Sequence, residues 1–398
     1  MSKLTIESFH KLINDALEYN IDFLLISGDL FNTSLPAIDY IKEVVKDLQR
    51  LKTEDIPVYI IPGSHDFSPS GKTMLGVLEE AKLVINVVKI TERDLENGEK
   101  KFQLNITKDK KTNTEITGML GKKNMLERKF YENLDYSNIK VDTDAEYLLT
   151  NTHNNPYRIF MFHSAIDELK PKELAKMESS PISLLPTGFD YYAGGHVHIV
   201  EKQDVAGYKN VIYPGPLFPN SFTELEKLGR GGYYLYDNGN IIFKEVKLKE
   251  ISKFVIDCEN KTPEEVSEYI KELILDIDCT DKIVLFRFRG KLKIGKVLDI
   301  DTKFIMSLYE KGAYFVMKNT SNLSSQDFEE VRKDFDKDCI EEEIIEEHLG
   351  QINIDGINRM HEKEMILKLM KILSSEQDEG ETKSVYEQRI LQDIDMIK

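Results

Sequence analysis

Three features are scarce in this sequence: cysteine, long apolar runs and positive charge. The 398 residues include 3 cysteines, at positions 258, 279 and 339, without a C-x-x-C pattern. This argues against a disulfide framework or a structural zinc knuckle. Neither a basic-then-apolar leader nor an apolar run of about 18 residues is present, so we expect a protein of the reducing cytoplasm without a membrane span. The formal net charge of −17 restricts any nucleic-acid contact to a local patch.

Near-continuous apolar runs of strand length occur at four places, and Asp or His follows each of them. The runs are 21–27, 57–61, 158–162 and 189–193. The polar residues that follow them are Asp29, then Ser64, His65 and Asp66, then His163, and finally His196 and His198. Helical spacing of apolar residues over 5–19, and again from Ala37, alternates with the first two runs and predicts a parallel α/β sheet. The carboxyl ends of such strands are where α/β enzymes place their chemistry.

Each of these polar residues has an ordinary structural explanation when taken alone. A histidine after a strand is more often a satisfied loop residue, and Gly-Asp after a strand is more often a turn or a helix cap. The chain has 8 histidines, and the other half of them, His10, His153, His348 and His361, lack this context. The clustering favours a site with mixed nitrogen and oxygen ligands, which suits manganese or iron in a two-metal phosphodiesterase.

The chain after about residue 210 has a different character. Asn238-Gly239 between two strand-like runs predicts a β-hairpin. From about residue 250, strand, helix and strand signals predict a small α+β unit with a basic loop at 290–296, and an acidic helical segment follows it. We therefore expect domains at 1–250, 251–330 and 331–398.

Five basic residues lie within ten positions of the small α+β unit: Arg287, Arg289, Lys291, Lys293 and Lys296. In an otherwise acidic chain this concentration predicts an edge that contacts phosphates. An exposed hairpin with ordinary solubilising charges is the alternative interpretation.

Four motifs occur in a fixed order: Gly28-Asp29, Gly63-Ser64-His65-Asp66, Phe162-His163 and Gly195-His196-Val197-His198. Together they resemble the G-D, G-N-H-D, H and G-H-x-H motifs of the calcineurin-like metallophosphoesterases. Residues 184–196, Tyr213-Pro214-Gly215-Pro216 and the tail are similar to the archaeal form of the SbcD-type exonuclease subunits of the DNA double-strand-break repair complex. This resemblance covers nearly the whole chain and implies a four-layer α-β-β-α fold with a small α+β cap domain that faces DNA and a helical tail.

The resemblance also implies a role for each motif residue. Two manganese ions would be held by Asp29, which bridges them, and by Ser64, His163, His196 and His198. Of the imidazoles, those of His163 and His196 would hold one ion, and that of His198 would help to hold the other. His65 would protonate the leaving oxygen, and Asp66 would orient the ring of His65.

This sequence departs from the family pattern at two points. Ser64 stands where the family has an asparagine ligand, and a hydroxyl is a weaker metal donor than an amide oxygen. The family's opening D-x-H motif, which would end a strand before the helix at 5–19, has no counterpart in this sequence. We therefore expect an incomplete site for the second ion and one strand fewer in the sheet.

Three functions are compatible with these observations. The first is a manganese-dependent DNA nuclease whose opening segment is missing from this sequence through truncation or a misplaced start. It would be a 3'-5' exonuclease and single-strand endonuclease associated with the nucleoid. It would act as a homodimer and bind a coiled-coil ABC-type ATPase through 338–398. The second is a degenerate, non-catalytic subunit that binds DNA or a partner on the same fold. The third, a small-molecule phosphatase, is disfavoured because the cap and tail resemble those of the nuclease. We favour the nuclease because drift after loss of activity should also have eroded the four motif histidines.

Overall fold

The structure is a computed structural model that describes residues 2–66, 73–94, 100–122, 126–137, 139, 156–171, 174, 177–325, 365, 368–369, 372 and 389–394. The helices are α1 (Ser2–Glu18), α2 (Ile38–Thr53), α3 (Met74–Glu80), α4 (Arg128–Glu132), α5 (Phe222–Leu228) and α6 (Pro263–Asp276). The strands are β1 (Leu24–Ile26), β2 (Val58–Ile60), β3 (Ile85–Asn86), β4 (Ile90–Asp94), β5 (Lys100–Leu104), β6 (Thr107–Lys108), β7 (Glu115–Gly118), β8 (Leu134–Asp135), β9 (Arg158–His163), β10 (Tyr191–Gly195), β11 (Val200–Val205), β12 (Tyr208–Pro214), β13 (Gly231–Asp237), β14 (Asn240–Val246), β15 (Ile251–Asp257), β16 (Ile283–Leu292) and β17 (Phe315–Ser325).

Two sheets carry the residues of interest. One has the strand order β1-β2-β3, with parallel pairing throughout. The other has the order β11-β12-β10-β9-β7-β6, in which the four inner strands are parallel and β11 and β6 pair antiparallel at the two edges. Parallel pairing in both sheets agrees with the alternation of helical and strand patterns in the sequence.

The three-stranded sheet is buried on both faces. On one face, Val58 and Ile60 pack against α1, α2 and α3 through side chains such as Ile13 and Leu48. On the other face, Tyr59 and Ile61 pack against inward-facing residues of the six-stranded sheet: Ile116, Ile159, Met161, Tyr191, Ala193 and Ile212. Successive residues from Val58 to Ile61 thus pack alternately into two different apolar cores, because successive side chains of a strand point to opposite faces of the sheet.

The outer face of the six-stranded sheet forms a third apolar layer. Phe160, Phe162, Tyr192 and Tyr213 are buried there beneath Tyr131 of α4, beneath Leu169 and Ile182 of two single-turn helices, and beneath Leu185, which follows the second of them. The order of layers is therefore helices, sheet, sheet, helices. This is the four-layer α-β-β-α arrangement that the resemblance implied.

The edge of the three-stranded sheet is formed by β1, whose residues are only half-buried. The hairpin of β13 and β14 adds Tyr233 to the apolar cluster of Leu24 and Ile26, and Tyr234 to the cluster of Leu25. The turn of this hairpin has Asn238 at φ 48° and Gly239 at φ 90°, which is the type I′ geometry predicted from Asn-Gly.

The chain divides into two compact units, Met1–Phe254 with Asp278–Phe286 and Leu308–Lys318, and Val255–Ile277 with Arg287–Ser307 and Asn319–Lys398. The domain boundaries expected at 250 and 330 stay predictions. Strand β16 continues to Leu292, so the basic loop expected at 290–296 is strand in its first part. Helix α6 begins with a capping box of Thr262 and Glu265 and with proline at its first turn.

The proposed docking segment, 338–398, lies outside the described residues except at 365, 368–369, 372 and 389–394. In the part of the chain that the structure describes, no helix combines the length and apolar composition needed to cross a membrane.

Candidate metal centre

The carboxyl ends of β1, β2, β9 and β10 meet at one edge of the two sheets. Gly195 at the end of β10 pairs in register with His163 at the end of β9. Ser27, just after β1, donates from Oγ to the carbonyl oxygen of Ala193 over 3.0 Å. The amide of Gly121 donates to the carbonyl of Pro62 over 2.9 Å. Polar residues that are far apart in sequence are therefore brought together where these strands end.

His163 is the most deeply buried imidazole of this region, with its side chain 1% exposed. Its Nδ1 lies 2.7 Å from the carbonyl oxygen of Ser27. Because a carbonyl only accepts, the proton is on Nδ1 and the lone pair of the neutral ring is on Nε2. Nε2 lies 3.2 Å from Oδ2 of Asp29, yet it is buried without a hydrogen bond. Two electron-rich atoms face one another here, which is the arrangement expected of two ligands of one cation.

Asp29 occupies a left-handed backbone position, φ 52°, after Gly28 at φ 91°. Its Oδ1 accepts a 2.8 Å hydrogen bond from the amide of His65, and its Oδ2 accepts from Oγ of Ser64 over 3.4 Å. Burial raises the pKa of Asp29, but the ring of His163, when it is protonated, and the amide of His65 lower it by more, so the carboxyl group has a pKa below its ordinary value. The structure thus joins Asp29, Ser64 and His163 around an ionised carboxylate.

The ring of His65 is exposed, and its Nδ1 lies 3.0 Å from the carbonyl oxygen of Asn32. This contact places the proton on Nδ1 and leaves Nε2 on the open side of the ring. The described hydrogen bonds of Asp66 do not involve this ring, and its expected role in orienting His65 stays a prediction. Its carboxylate accepts from the amides of Gly63, at 3.1 Å, and Phe31, at 3.4 Å. Asp66 therefore joins two backbone loops, and its burial raises the pKa of its carboxyl group.

His196 lies beside His163, with the two ring centres 5.2 Å apart. Burial, and secondarily the neighbouring His163, lowers the pKa of His196 to about 4. The ring is therefore neutral at pH 7 and keeps a lone pair for a ligand. Like Asp29, His196 has a left-handed backbone, at φ 83°, which turns the chain sharply where β10 ends.

His198 is more exposed, at 54% of its side chain, and its Nδ1 lies 2.8 Å from Oε1 of Glu224 on α5. This hydrogen bond raises the pKa of His198 and lowers the pKa of Glu224 to about 2. Sequence reasoning did not identify Glu224. The only available signal was the pattern Ser221-x-x-Glu224, which marks a helix start rather than a site.

Four glycines make room for the side chains of His163 and Asp29. A Cβ atom at Gly28, Gly121 or Gly195 would collide with the ring of His163, and one at Gly63 would collide with the carboxylate of Asp29. Backbone packs directly against these side chains, which restricts the positions they can adopt.

The residues present fit one divalent ion better than two. The unpaired Nε2 of His163 beside an ionised carboxylate, with a neutral imidazole adjacent, is a mixed nitrogen and oxygen donor set. Over the described ranges, no group of three or more His, Cys, Asp or Glu side chains is already close enough to hold an ion. The structure therefore assembles a pair, Asp29 and His163, with further donors nearby.

The basic residues of the small α+β unit lie along β16 and the turn after it. Arg287, Arg289 and Lys291 alternate with the buried residues Phe286, Phe288 and Leu292, so they share the more exposed face of the strand. Two acidic residues are close to them: Asp257 is 4.0 Å from Arg289, and Glu259 accepts from the amide of Lys291 over 2.9 Å. Lys293 and Lys296 are exposed beyond the strand.

Comparison with known proteins finds two kinds of similarity. Residues 5–200 match the family profile described as calcineurin-like phosphoesterase. The chain is also similar to several archaeal proteins named DNA double-strand break repair protein Mre11. It is 26% identical over 74% of its length to the protein from Archaeoglobus fulgidus, and 24% identical over 77% to that from Thermoplasma acidophilum. It is 24% identical over 94% to that from Sulfurisphaera tokodaii.

The matched region covers a different fraction of the length of each relative. The chain spans 64% of the length of the Archaeoglobus protein, 76% of the Thermoplasma protein and 92% of the Sulfurisphaera protein.

Substitution of Gly195 by alanine tests how the site is packed. The added Cβ would collide with the carbonyl of Ser27 and lie 2.7 Å from Nδ1 of His163, so we expect the free energy of unfolding to fall by about 1–3 kcal/mol. Gly76→Ala in α3 is the control, because its nearest neighbour would be 3.7 Å away and alanine favours a helix by about 0.5–1 kcal/mol. Urea denaturation of both variants measures the difference. Equal stability of Gly195→Ala and the unmodified protein would contradict this packing.

Proposed function

Because residues 5–200 match the calcineurin-like phosphoesterase profile, we propose that the protein is a metal-dependent nuclease that acts on DNA in double-strand-break repair. The observation that carries the proposal is the buried Nε2 of His163, which has no hydrogen bond and lies 3.2 Å from the carboxylate of Asp29. A purely structural histidine at this depth would have both ring nitrogens satisfied. The similarity to archaeal Mre11 proteins supports DNA as the substrate.

We infer that manganese is the metal and that the better site uses Asp29, His163, His196 and Ser64. The donors are imidazole nitrogens and carboxylate and hydroxyl oxygens, a mixture suited to manganese. The second site would use Asp29 and His198 and is the weaker of the two. When bound, such ions activate water and neutralise charge on the phosphoryl group.

The chain's own residues would bind and orient the phosphodiester. His65 has Nδ1 fixed on the carbonyl of Asn32, 3.0 Å away, so its free Nε2 can carry a proton toward the leaving oxygen. Asp66 would act indirectly, because its hydrogen bonds to the amides of Gly63 and Phe31 hold the loop that carries His65. Exonuclease action with 3'-5' polarity and endonuclease action on single strands belong to the same proposal.

Contact with DNA is proposed for the basic face of β16 and the turn after it, formed by Arg287, Arg289, Lys291, Lys293 and Lys296. The alternation of these side chains with buried residues turns several positive charges to the same side. Such side chains hold a phosphate backbone without reading its sequence. In a chain with a net charge of −17, this local patch would be the main attraction for a polyanion.

Partners and location follow from the resemblance. A coiled-coil ABC-type ATPase would bind the segment 338–398, and the complex would work in the cytoplasm at the nucleoid.

A homodimer is proposed as well, and it would cover apolar side chains on the helical layer. Ile38 on α2 is 81% exposed and Val77 on α3 is 58% exposed, which is a surface of the kind that a second copy can bury.

A non-catalytic DNA- or partner-binding subunit is the second candidate. One observation favours it: within the described chain, no three metal-binding side chains are already gathered. Metal binding and DNA cleavage separate this candidate from the nuclease.

Manganese titration by calorimetry tests the metal proposal. We expect about one ion to bind tightly and a second weakly, because the second site has fewer donors. His163→Ala should abolish the tight site and the manganese-dependent cleavage of a single-stranded oligonucleotide. His10→Ala is the control, since His10 contacts Asp47 in the helical layer. Two equally tight sites would refute the assignment, and tight binding without cleavage would favour the non-catalytic candidate.

Charge reversal tests the DNA-contacting face. Lys291→Glu combined with Lys293→Glu should weaken DNA binding and reduce the slope of log affinity against log salt by about 0.7–0.9 for each phosphate that is no longer neutralised. Lys108→Glu combined with Lys110→Glu makes the same change of charge at two exposed positions with the same spacing. Fluorescence anisotropy at several salt concentrations provides the comparison. Equally weakened binding by both double variants would show that only net charge matters.

A further inference from the structure

The ring of His198 is held by a carboxylate from another part of the chain. Glu224 on α5 accepts from Nδ1 of His198 over 2.8 Å, across 26 residues of sequence. His198 follows His196 by two residues in the segment that leaves the end of β10, so the chain brings this ring to the same end of the sheet as the candidate metal centre. We propose that Glu224 is a positioning residue that fixes the orientation and tautomer of His198 for metal binding. This inference rests on the proposed function, because it assigns His198 to the second metal site.

Two hydrogen bonds hold Glu224 in place, one through its backbone and one through its carboxylate. Its backbone amide donates to Oγ of Ser221, the N-cap of α5, over 3.2 Å. Its Oε2 accepts from the amide of Asn220 over 3.1 Å. One oxygen is therefore bound to the start of the helix while the other is directed at His198, which leaves the side chain little freedom.

Helix α5 is anchored by its apolar side. Phe222 and Leu225 are buried in a cluster with Leu4 of α1 and with Ile283 and Leu285 of β16. A helix of seven residues has little stability alone, so this packing determines where Glu224 lies. The position of the carboxylate is set by the apolar core rather than by a mobile surface side chain.

The hydrogen bond has a chemical consequence for His198. A carboxylate acceptor keeps the proton on Nδ1, so the lone pair of the neutral ring is on Nε2. No hydrogen bond within the described residues occupies Nε2 of His198. Carboxylate partners of this kind fix the ring and increase its basicity as a ligand, and their loss typically weakens metal binding about 10–100-fold.

Helix capping alone is the simpler explanation of Glu224, since glutamate at the third helical position is common. Three variants distinguish the two roles. Glu224→Ala removes the acceptor of His198, whereas Glu224→Gln keeps an oxygen that can accept from Nδ1. Ser221→Ala removes the helix cap and leaves Glu224 in place, so it measures capping without the contact to His198.

The first experiment is nitrogen-15 NMR of the metal-free full chain with labelled histidine, in which the His198 signals are identified by their loss in His198→Gln. We expect the Nδ1–H tautomer in the unmodified protein, in Glu224→Gln and in Ser221→Ala. In Glu224→Ala we expect the Nε2–H form to become populated. An unchanged tautomer in Glu224→Ala, or the same change in Ser221→Ala, would overturn the positioning role.

The second experiment is manganese titration of the same variants. Glu224→Ala should weaken the weaker manganese site about 10–100-fold and leave the tight site of Asp29 and His163 unchanged. Equal weakening of that weaker site by Ser221→Ala would overturn the proposal. The two experiments can also disagree. If the tautomer of His198 changes in Glu224→Ala but the protein binds no manganese, the proposed function is refuted, whereas the positioning of His198 by Glu224 is supported.

Discussion

The imidazole of His163 is held between the carbonyl of Ser27, 2.7 Å from Nδ1, and the carboxylate of Asp29, 3.2 Å from Nε2. The contact with Ser27 keeps the proton of the neutral ring on Nδ1. The lone pair on Nε2 therefore faces the ionised carboxylate of Asp29. Because His163 is buried, a lone pair on Nε2 that faces the carboxylate of Asp29 is unfavourable unless a cation binds to both groups. The other features of the candidate site depend on this pair: the ring of His196 lies edge-to-face beside that of His163, Ser64 donates to the same carboxylate, and backbone glycines enclose it.

The two sheets place these groups together because their parallel strands end at one edge. Strand β1 leads to Asp29 and β9 ends at His163, and the bond from Ser27 to Ala193 joins the ends of the two sheets. The left-handed backbone at Asp29 and His196 is uncommon outside glycine and occurs here at two of the proposed ligands. Strain of this kind is often concentrated at functional sites.

Much of this arrangement could be predicted from the sequence, because it depends on local patterns. Apolar runs followed by Asp or His predicted the strand ends, the alternation with helices predicted parallel sheets, and Asn238-Gly239 predicted the hairpin. The hydrogen bonds of Asp66 to the amides of Gly63 and Phe31 could not be predicted, because they depend on which of several nearby donors its carboxylate reaches. Glu224 was not identified because α5 approaches His198 only through tertiary packing of Phe222 and Leu225. The extent of β16 was underestimated because glycine and lysine at 290–293 are typical of a loop.

Anomalous diffraction at the manganese absorption edge, from crystals of the full chain grown with manganese, tests the central claim most directly. We expect a peak within coordination distance of Nε2 of His163 and Oδ2 of Asp29, and no peak at that position in His163→Ala crystals. A strong peak elsewhere together with none beside His163, or a protein in which Nε2 of His163 donates a well-aligned hydrogen bond to Asp29, would contradict it.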